Sequence, residues 1–193
     1  FPAIDESILK RFFAEIGERV IKVDSILEAV ENRRTAAWYS LTKDYLESLY
    51  YIAKMQEFYL AHIDGFHIVE ASKIWTLYTT EAYEMDSHYR HFHYHFGNTL
   101  KAPDAFLEDA LKKCSDVVEG LYREWFLKEL TSNWTKAIAD DLASLGYVSE
   151  IDEQRRFYNQ YVFPIVRKGS RVFVVISDAL RFEVAAELSE ALS

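Results

Sequence analysis

Two polar residues, Ser177 and Asp178, directly follow an uninterrupted apolar run at residues 172–176. In open α/β sheets, ligands gather beyond the carboxyl ends of the strands, where a carboxylate offers hard oxygen atoms to Mg²⁺, Mn²⁺ or Zn²⁺. Asp178 is therefore a candidate metal ligand. The alternative is that Asp178 caps the helix that the sequence predicts at residues 179–192. Both interpretations place it in a strand-to-helix turn.

A second candidate site is the histidine-rich stretch "HYRHFHYHF", residues 88–96. On a helix, His88, His91 and His95 fall along one face, a spacing that could present three imidazoles to one Zn²⁺. His93 lies well round the helix, and no HExxH pattern is present. We favour packing of these histidines edge-on against neighbouring aromatic rings with local hydrogen bonds. A helical metal or haem protein is the alternative.

The elements that carry these residues are predicted to be mostly long helices. Of 193 residues, 50% are hydrophobic, 16% are aromatic, and only 6 are glycine and 3 proline, a composition that favours a large core and few chain breaks. Apolar periodicity predicts a first helix with Asp5 as its N-cap and further helices at about 35–64 and 69–96. A fourth pattern begins with Phe106, after Pro103, and continues to about residue 142.

The best predicted domain boundary lies in "VFPIVRKGS", where Pro164 and Gly169 interrupt the helical pattern. We predict a helical domain at residues 1–165 and a second domain beginning at residues 166–193. A strand that is apolar on both faces is typical of a parallel sheet covered by helices. The predicted fold is therefore mainly α, a multi-helix bundle followed by one βα unit of a truncated α/β domain.

A lone apolar strand is costly in water because its edges and faces lack partners. We therefore expect residues 172–176 to pack against the helical domain or to pair with a second copy in a homodimer.

Charge and cysteine content limit the partners and the compartment. The chain carries 31 acidic and 22 basic residues, a net charge of −9, and its bases are scattered, so direct nucleic-acid binding is not expected. The aromatic stripes lie among acids at helical spacing and indicate core packing rather than base stacking. A single cysteine, Cys114, fits a reducing compartment. We expect a cytoplasmic protein without a membrane-spanning segment.

The stretch "VFVVISDALRFEVAAEL" resembles the opening of the catalytic domain in PglZ-type proteins of BREX bacteriophage-exclusion systems, which are members of the alkaline phosphatase superfamily. Upstream, "IDEQRRFYNQYVFPIV", "AAWYSLTKDYLESLYYIAKMQEFYL" and "MDSHYRHFHYHF" resemble the helical region that precedes that domain. The resemblance implies that Asp178 binds one of two adjacent divalent metal ions (Zn, Mn or Mg) that polarise a phosphoryl oxygen. Arg181 and Glu183 also match the motif. Arg181 could contact phosphate or pair with a nearby acid.

The resemblance assigns no catalytic nucleophile within this sequence. The family's nucleophilic Ser or Thr and its later Asp and His ligands lie downstream of the motif, while Ser189 and Ser193 fall late on the helix or at its end. Substrate-binding residues are unassigned. We expect an inactive fragment of a metal-dependent phosphatase or phosphodiesterase of anti-phage defence, with other subunits of a defence complex as partners. The alternative is a helical interaction scaffold without a catalytic role.

Overall fold

The computed structural model describes residues 2–101 and 105–193, and within these ranges it contains helices but no β-strand. Pro103 and the side chain of Phe106, which the predicted fourth helix included, lie outside the described residues. The α-helices are α1 (Pro2–Gly17), α2 (Val23–Arg34), α3 (Tyr39–Ala61), α4 (Ala71–Leu77), α5 (Tyr83–Thr99), α6 (Ala105–Glu119), α7 (Lys128–Ser144), α8 (Phe163–Val166) and α9 (Phe182–Ala191). Segments of π-helix occupy Tyr78–Ala82, Gly120–Leu127 and Tyr158–Val162, and a 3₁₀ turn occupies Gln154–Arg156.

One compact unit comprises Phe1–Phe66 and Ala82–Ser132. Its helices pack mainly as α3 on α5, α2 on α3 and α1 on α6. The apolar periodicity of the sequence correctly predicts much of this core, because a 3.6-residue repeat puts one face of each helix inside. The fully buried large side chains of the described residues include Leu9, Phe12, Phe13, Ile16, Ile26, Leu46, Leu49, Ile52, Met55, Met85, Phe92 and Phe126.

Asp5 does not cap the first helix, so that prediction is wrong. Helix α1 already begins at Pro2, which places Asp5 in its first turn. The Asp5 carboxylate is buried, pairs with Arg33 Nε at 2.9 Å and accepts a hydrogen bond from Trp38 Nε1 at 2.7 Å. The carboxylate therefore binds two side chains, whereas the carboxylate of a helix cap accepts hydrogen bonds from backbone N–H groups.

The other compact unit comprises His67–Glu81 and Asn133–Ser193. Within it, the rings of Trp75 and Trp134 lie 6.3 Å apart, and the N–H of Ile68 donates to Asn133 Oδ1 at 3.1 Å. This spatial division does not follow the boundary predicted at residues 165 and 166. The predicted boundary separates two domains along the sequence, whereas this division groups residues by spatial contact, so the boundary stays a prediction.

The strand predicted at residues 172–176 is not formed in the described part of the chain, although the mainly α prediction is confirmed. Phe173 is 86% exposed, and Val175 and Ile176 are each 89% exposed. The expectation that this segment packs on the helical domain is therefore wrong. A strand needs a neighbour for its backbone N–H and C=O groups, and no described residue supplies one. Pairing with a second copy stays a prediction.

Among the described residues, no helix combines the length and the apolar character that crossing a membrane requires.

Candidate functional site

The Asp178 turn is exposed and is formed by an unusual backbone conformation. Residues 170–177 are irregular, a turn follows at residues 178 and 179, and α9 begins only at Phe182. Ala179 lies in the left-handed region with φ of 57°, a conformation that non-glycine residues adopt at a cost. Strained turns of this kind occur frequently at functional sites. The carboxylate of Asp178 is exposed to solvent.

The interpretation of Asp178 as a helix cap does not agree with the turn. The N-cap position of α9 is Arg181, three residues after Asp178, and no side chain caps this helix. The helix starts later than the predicted residue 179 because Ala179 leaves the right-handed region. The metal-ligand interpretation of Asp178 stays a prediction.

Arg181 pairs with the neighbouring acid of the motif. Its Nε donates to Glu183 Oε1 at 2.6 Å, and its terminal nitrogen makes a second short contact with the same oxygen. Glu183 is only 1% exposed, and the ring of the intervening Phe182 lies 5.7 Å from that of Tyr78. The structure thus brings Arg181 and Glu183 together and favours the acid-pairing interpretation of Arg181 over a phosphate contact.

Among the described residues, Asp178 is a single candidate metal ligand rather than part of a set. Within the described residues, no group of three or more His, Cys, Asp or Glu side chains is arranged to hold a metal ion. A single carboxylate does not fix a divalent cation, which needs several oxygen or nitrogen ligands. We therefore derive no catalytic step through a metal from these residues.

Comparison with known proteins bears directly on this segment. The family model described as the BREX system PglZ alkaline phosphatase-like domain matches residues 157–193. The resemblance to PglZ-type proteins is confirmed. The match begins before the predicted boundary at residue 166 and contains the whole "ISDALRFE" motif. No solved structure matches this chain.

Relatives of PglZ type align with the helical region as well. The chain is 28% identical to the alkaline phosphatase-like protein BrxZ of Escherichia coli O9:H4 (strain HS), over 99% of its own length and 22% of that protein. It is 29% identical to the alkaline phosphatase-like protein PglZ of Bacillus cereus (strain H3081.97), over 100% of its length and 22% of the relative. The chain thus spans about a fifth of the length of these relatives.

The histidine face lies against one tyrosine of α3. The ring of Tyr51 is 4.9 Å from that of His91 and 5.8 Å from that of His95, both nearly parallel, and 5.9 Å from that of His88. The predicted edge-on packing against aromatic neighbours also occurs, because His93 is edge-on to Tyr89 at 4.4 Å. The histidines on this face therefore pack at the α3–α5 interface, as the favoured interpretation of the sequence expects, and the metal or haem alternative stays a prediction.

His95 is the buried member of this cluster and makes its strongest polar contact with α3. Its Nδ1 lies 2.7 Å from Asp44 Oδ1, and the amide of Asn98 donates to the same oxygen at 3.3 Å. Asp44 and Tyr51 are partners that sequence reasoning missed. The sequence pattern that indicates them is a polar stripe on one helix face, because Asp44, Glu47 and Tyr51 recur at steps of three and four, as the histidines do.

Glu47 is the centre of a buried charged network. Arg34 donates to it through Nε at 2.9 Å and through a terminal nitrogen at 2.8 Å, and the hydroxyl of Tyr39 donates to the same carboxylate. Burial acts to raise the pKa of Glu47, but the hydrogen bonds from Arg34 and Tyr39 outweigh it and hold this pKa below its ordinary value. Burial and the bond to Glu47 raise the pKa of Tyr39.

Cys114 is a core residue. It is fully buried, its thiol donates weakly to the carbonyl of Phe13 at 3.5 Å, and burial raises its pKa to about 12. The reactive form of a cysteine is the thiolate. Cys114 is thus unsuited to act as a nucleophile.

Proposed function

We propose that this chain is part of a metal-dependent phosphatase or phosphodiesterase that acts in bacterial anti-phage defence. The observation that carries the proposal is the match of the PglZ alkaline phosphatase-like family model to residues 157–193, which include Asp178. Alignment of the whole chain with two alkaline phosphatase-like relatives supports it.

In this proposal Asp178 is one ligand of a divalent metal ion, Zn²⁺, Mn²⁺ or Mg²⁺. Its exposed carboxylate and the left-handed turn at Ala179 support the assignment, since a ligand must be accessible and held in place. The described residues contribute neither a nucleophile to this motif nor a second ligand beside Asp178. The chain by itself is therefore expected to be inactive.

The proposal also assigns the apolar run at residues 172–176 to the first strand of an α/β domain, with α9 as the helix that follows. Its exposed Phe173, Val175 and Ile176 support this, because both faces of a central parallel strand are covered in a folded sheet. When neighbouring strands are absent, the same residues are expected to pair two copies of the chain.

The expected partners are other subunits of a defence complex in the cytoplasm. A helical scaffold without catalysis is the second candidate, and one observation favours it: the α8 region carries several exposed apolar residues, which is typical of a protein-binding surface. These residues are Phe157, Tyr158, Tyr161, Phe163, Ile165 and Val166.

The two candidates are separated by Asp178→Ala in the full-length PglZ-type protein that carries this chain. The assay measures hydrolysis of p-nitrophenyl phosphate and bis(p-nitrophenyl) phosphate after metal removal and after addition of Zn²⁺, Mn²⁺ or Mg²⁺. Loss of a ligand is expected to lower metal-dependent hydrolysis by about a hundredfold, because it weakens metal binding and the chemistry that depends on it.

Asp140→Ala is the matched control, since Asp140 is an exposed aspartate outside the motif. Retained hydrolysis in Asp178→Ala would overturn the metal assignment. Absence of hydrolysis in the unmodified protein, with complex assembly intact, would favour the scaffold.

A further inference from the structure

A cleft of about 530 Å³ lies within the first compact unit, away from the Asp178 motif in the chain. Its volume is in the range of ordinary ligand sites. It is formed by the turn after α1, one face of α3 and the π-helical segment Gly120–Leu127. Segments of π-helix are rare and occur frequently at functional sites. The residues that line it include Arg19, Tyr59, Glu124 and Trp125.

The apolar wall of the cleft is supported by contacts among aromatic rings. The ring of Trp125 is perpendicular to that of Tyr59 at 4.9 Å and also contacts the rings of Phe58 and Phe66, each at 6.1 Å. Trp125 and Tyr59 stay half-buried, so part of each ring faces the cleft. A preorganised aromatic surface binds an apolar group with little loss of side-chain entropy.

Arg19 occupies a backbone position that favours glycine. The turn after α1 is a Schellman motif, in which the N–H of Val20 bonds to the carbonyl of Glu15 and that of Arg19 to the carbonyl of Ile16, both at 2.8 Å. Arg19 has φ of 61°, where glycine is the usual residue. No described residue makes a hydrogen bond or ion pair with its guanidinium. The arginine therefore costs stability here without a compensating hydrogen bond or ion pair from the part of the chain that the structure describes.

The charges of the cleft are of both signs. Arg19 contributes the positive charge, and Glu124 contributes a carboxylate whose only ion pair in the described chain is a long, exposed one to Lys128 at 3.9 Å. Such pairs are weak and exchange readily with other cations. A polyphosphate ligand would need several cations or a helix N-terminus, and the chain carries a net charge of −9. A mixed-charge ligand with an apolar centre is the better complement.

We propose that this cleft binds a peptide segment of a partner protein. An aromatic or aliphatic anchor residue of the peptide lies on Trp125 and Tyr59, an acidic residue on one side pairs with Arg19, and a basic residue on the other side pairs with Glu124. The proposal stands independently of the phosphoesterase assignment, because it uses no residue of the Asp178 motif.

The test is selection of short random peptides displayed on phage against the immobilised chain, followed by fluorescence-polarisation titration of the enriched peptides. We expect enrichment of an apolar anchor flanked by one acidic and one basic residue. Arg19→Glu is expected to weaken binding of these peptides by about tenfold or more, since it turns an attraction into a repulsion. The double variant Arg19→Glu/Glu124→Arg is expected to restore binding to peptides with the two charges exchanged.

Arg171→Glu is the control, because it makes the same charge change at an exposed residue that does not line the cleft. Arg19 and Glu124 are also exposed, so circular dichroism is expected to show native helicity in every variant. Enrichment no greater than that on a blank support would overturn the proposal. Equal binding of the selected peptides to the unmodified chain and to Arg19→Glu would overturn it as well.

Discussion

The helical core of the first compact unit and the motif segment at residues 172–176 place similar apolar side chains in opposite surroundings. Phe12, Phe92 and Phe126 are at most 1% exposed, whereas Phe173 is 86% exposed. A helix satisfies its own backbone hydrogen bonds, so its apolar face needs only another helix to cover it. A strand needs neighbours along both edges and both faces. The helical core therefore finds its packing partners among the described residues, whereas the motif segment does not find there the partners that its sequence pattern requires.

The largest effect is expected from truncating one buried ring. Phe126→Ala should lower the free energy of unfolding by about 3–5 kcal/mol, the usual cost of removing a buried phenylalanine, because Phe126 is fully buried and packs against Phe58 and Tyr122. Phe173→Ala should change it by less than about 0.5 kcal/mol, as exposed substitutions do. Urea denaturation followed by circular dichroism measures both values. A large cost for Phe173→Ala would show that the segment is covered in solution.

The periodicity of the sequence predicts the helices of the core because it records which face of a helix is inside. Phe12, Ile16, Leu49 and Ile52 are buried as their spacing indicates. The periodicity does not indicate which other helix packs against that face. For that reason the sequence pattern predicts Asp5 as a helix cap and does not predict its ion pair with Arg33.

The same reason applies to the histidine face and to the motif segment at residues 172–176. The spacing of His91 and His95 predicts a shared face, but the ring that covers them belongs to Tyr51, far away in the sequence. The pattern at residues 172–176 predicts a strand, yet a strand is defined by partners that the described chain does not provide. The role of Asp178 depends on such partners too.

The buried network of Glu47 is the next point at which to probe the core. Glu47→Gln should cost about 2–3 kcal/mol at neutral pH, because it leaves the guanidinium of Arg34 without its main buried partner. Glu31→Gln is the matched control. Glu31 pairs with the same arginine at 2.9 Å but is mostly exposed, so its loss should cost less than about 1 kcal/mol.

The contribution of Glu47 should also depend on pH. The pKa of Glu47 is lower in the folded state than its ordinary value, so its stabilisation is fully present above the unfolded-state pKa of about 4.3 and is lost as the pH falls through the folded-state pKa. The difference between the unmodified chain and Glu47→Gln should therefore be constant from pH 7 to about pH 5 and shrink below about pH 4. A difference that grows on acidification would contradict the network. Urea titrations across this range measure it.

A smaller effect on stability is expected from replacing one glycine in each compact unit by alanine. Comparing the two substitutions separates the cost of backbone strain from the cost of a steric clash. Gly65 and Gly146 have φ of 87° and 76°, so alanine strains both. A Cβ at Gly65 would lie 2.7 Å from Glu129 Oε1, which accepts the N–H of Phe66, whereas a Cβ at Gly146 meets nothing within 4 Å. We expect Gly65→Ala to cost about 2 kcal/mol and Gly146→Ala about 1 kcal/mol. Equal losses in thermal unfolding would show that Glu129 moves aside without cost.

The smallest effect is expected where glycine replaces a residue with positive φ. Arg19→Gly should stabilise the chain by about 0.5 kcal/mol, because relief of the left-handed conformation slightly exceeds the added entropy of the unfolded chain. Ala179→Gly relieves the same kind of strain, at φ of 57°, but in an exposed turn beside a segment without packing partners. Its effect on global unfolding should therefore be close to zero. If the two substitutions shift the urea midpoint equally, the motif turn unfolds together with the core, and the contrast between the two regions fails. A more stable Arg19→Gly that no longer binds the selected peptides would show that the arginine is kept for its side chain at the expense of the fold.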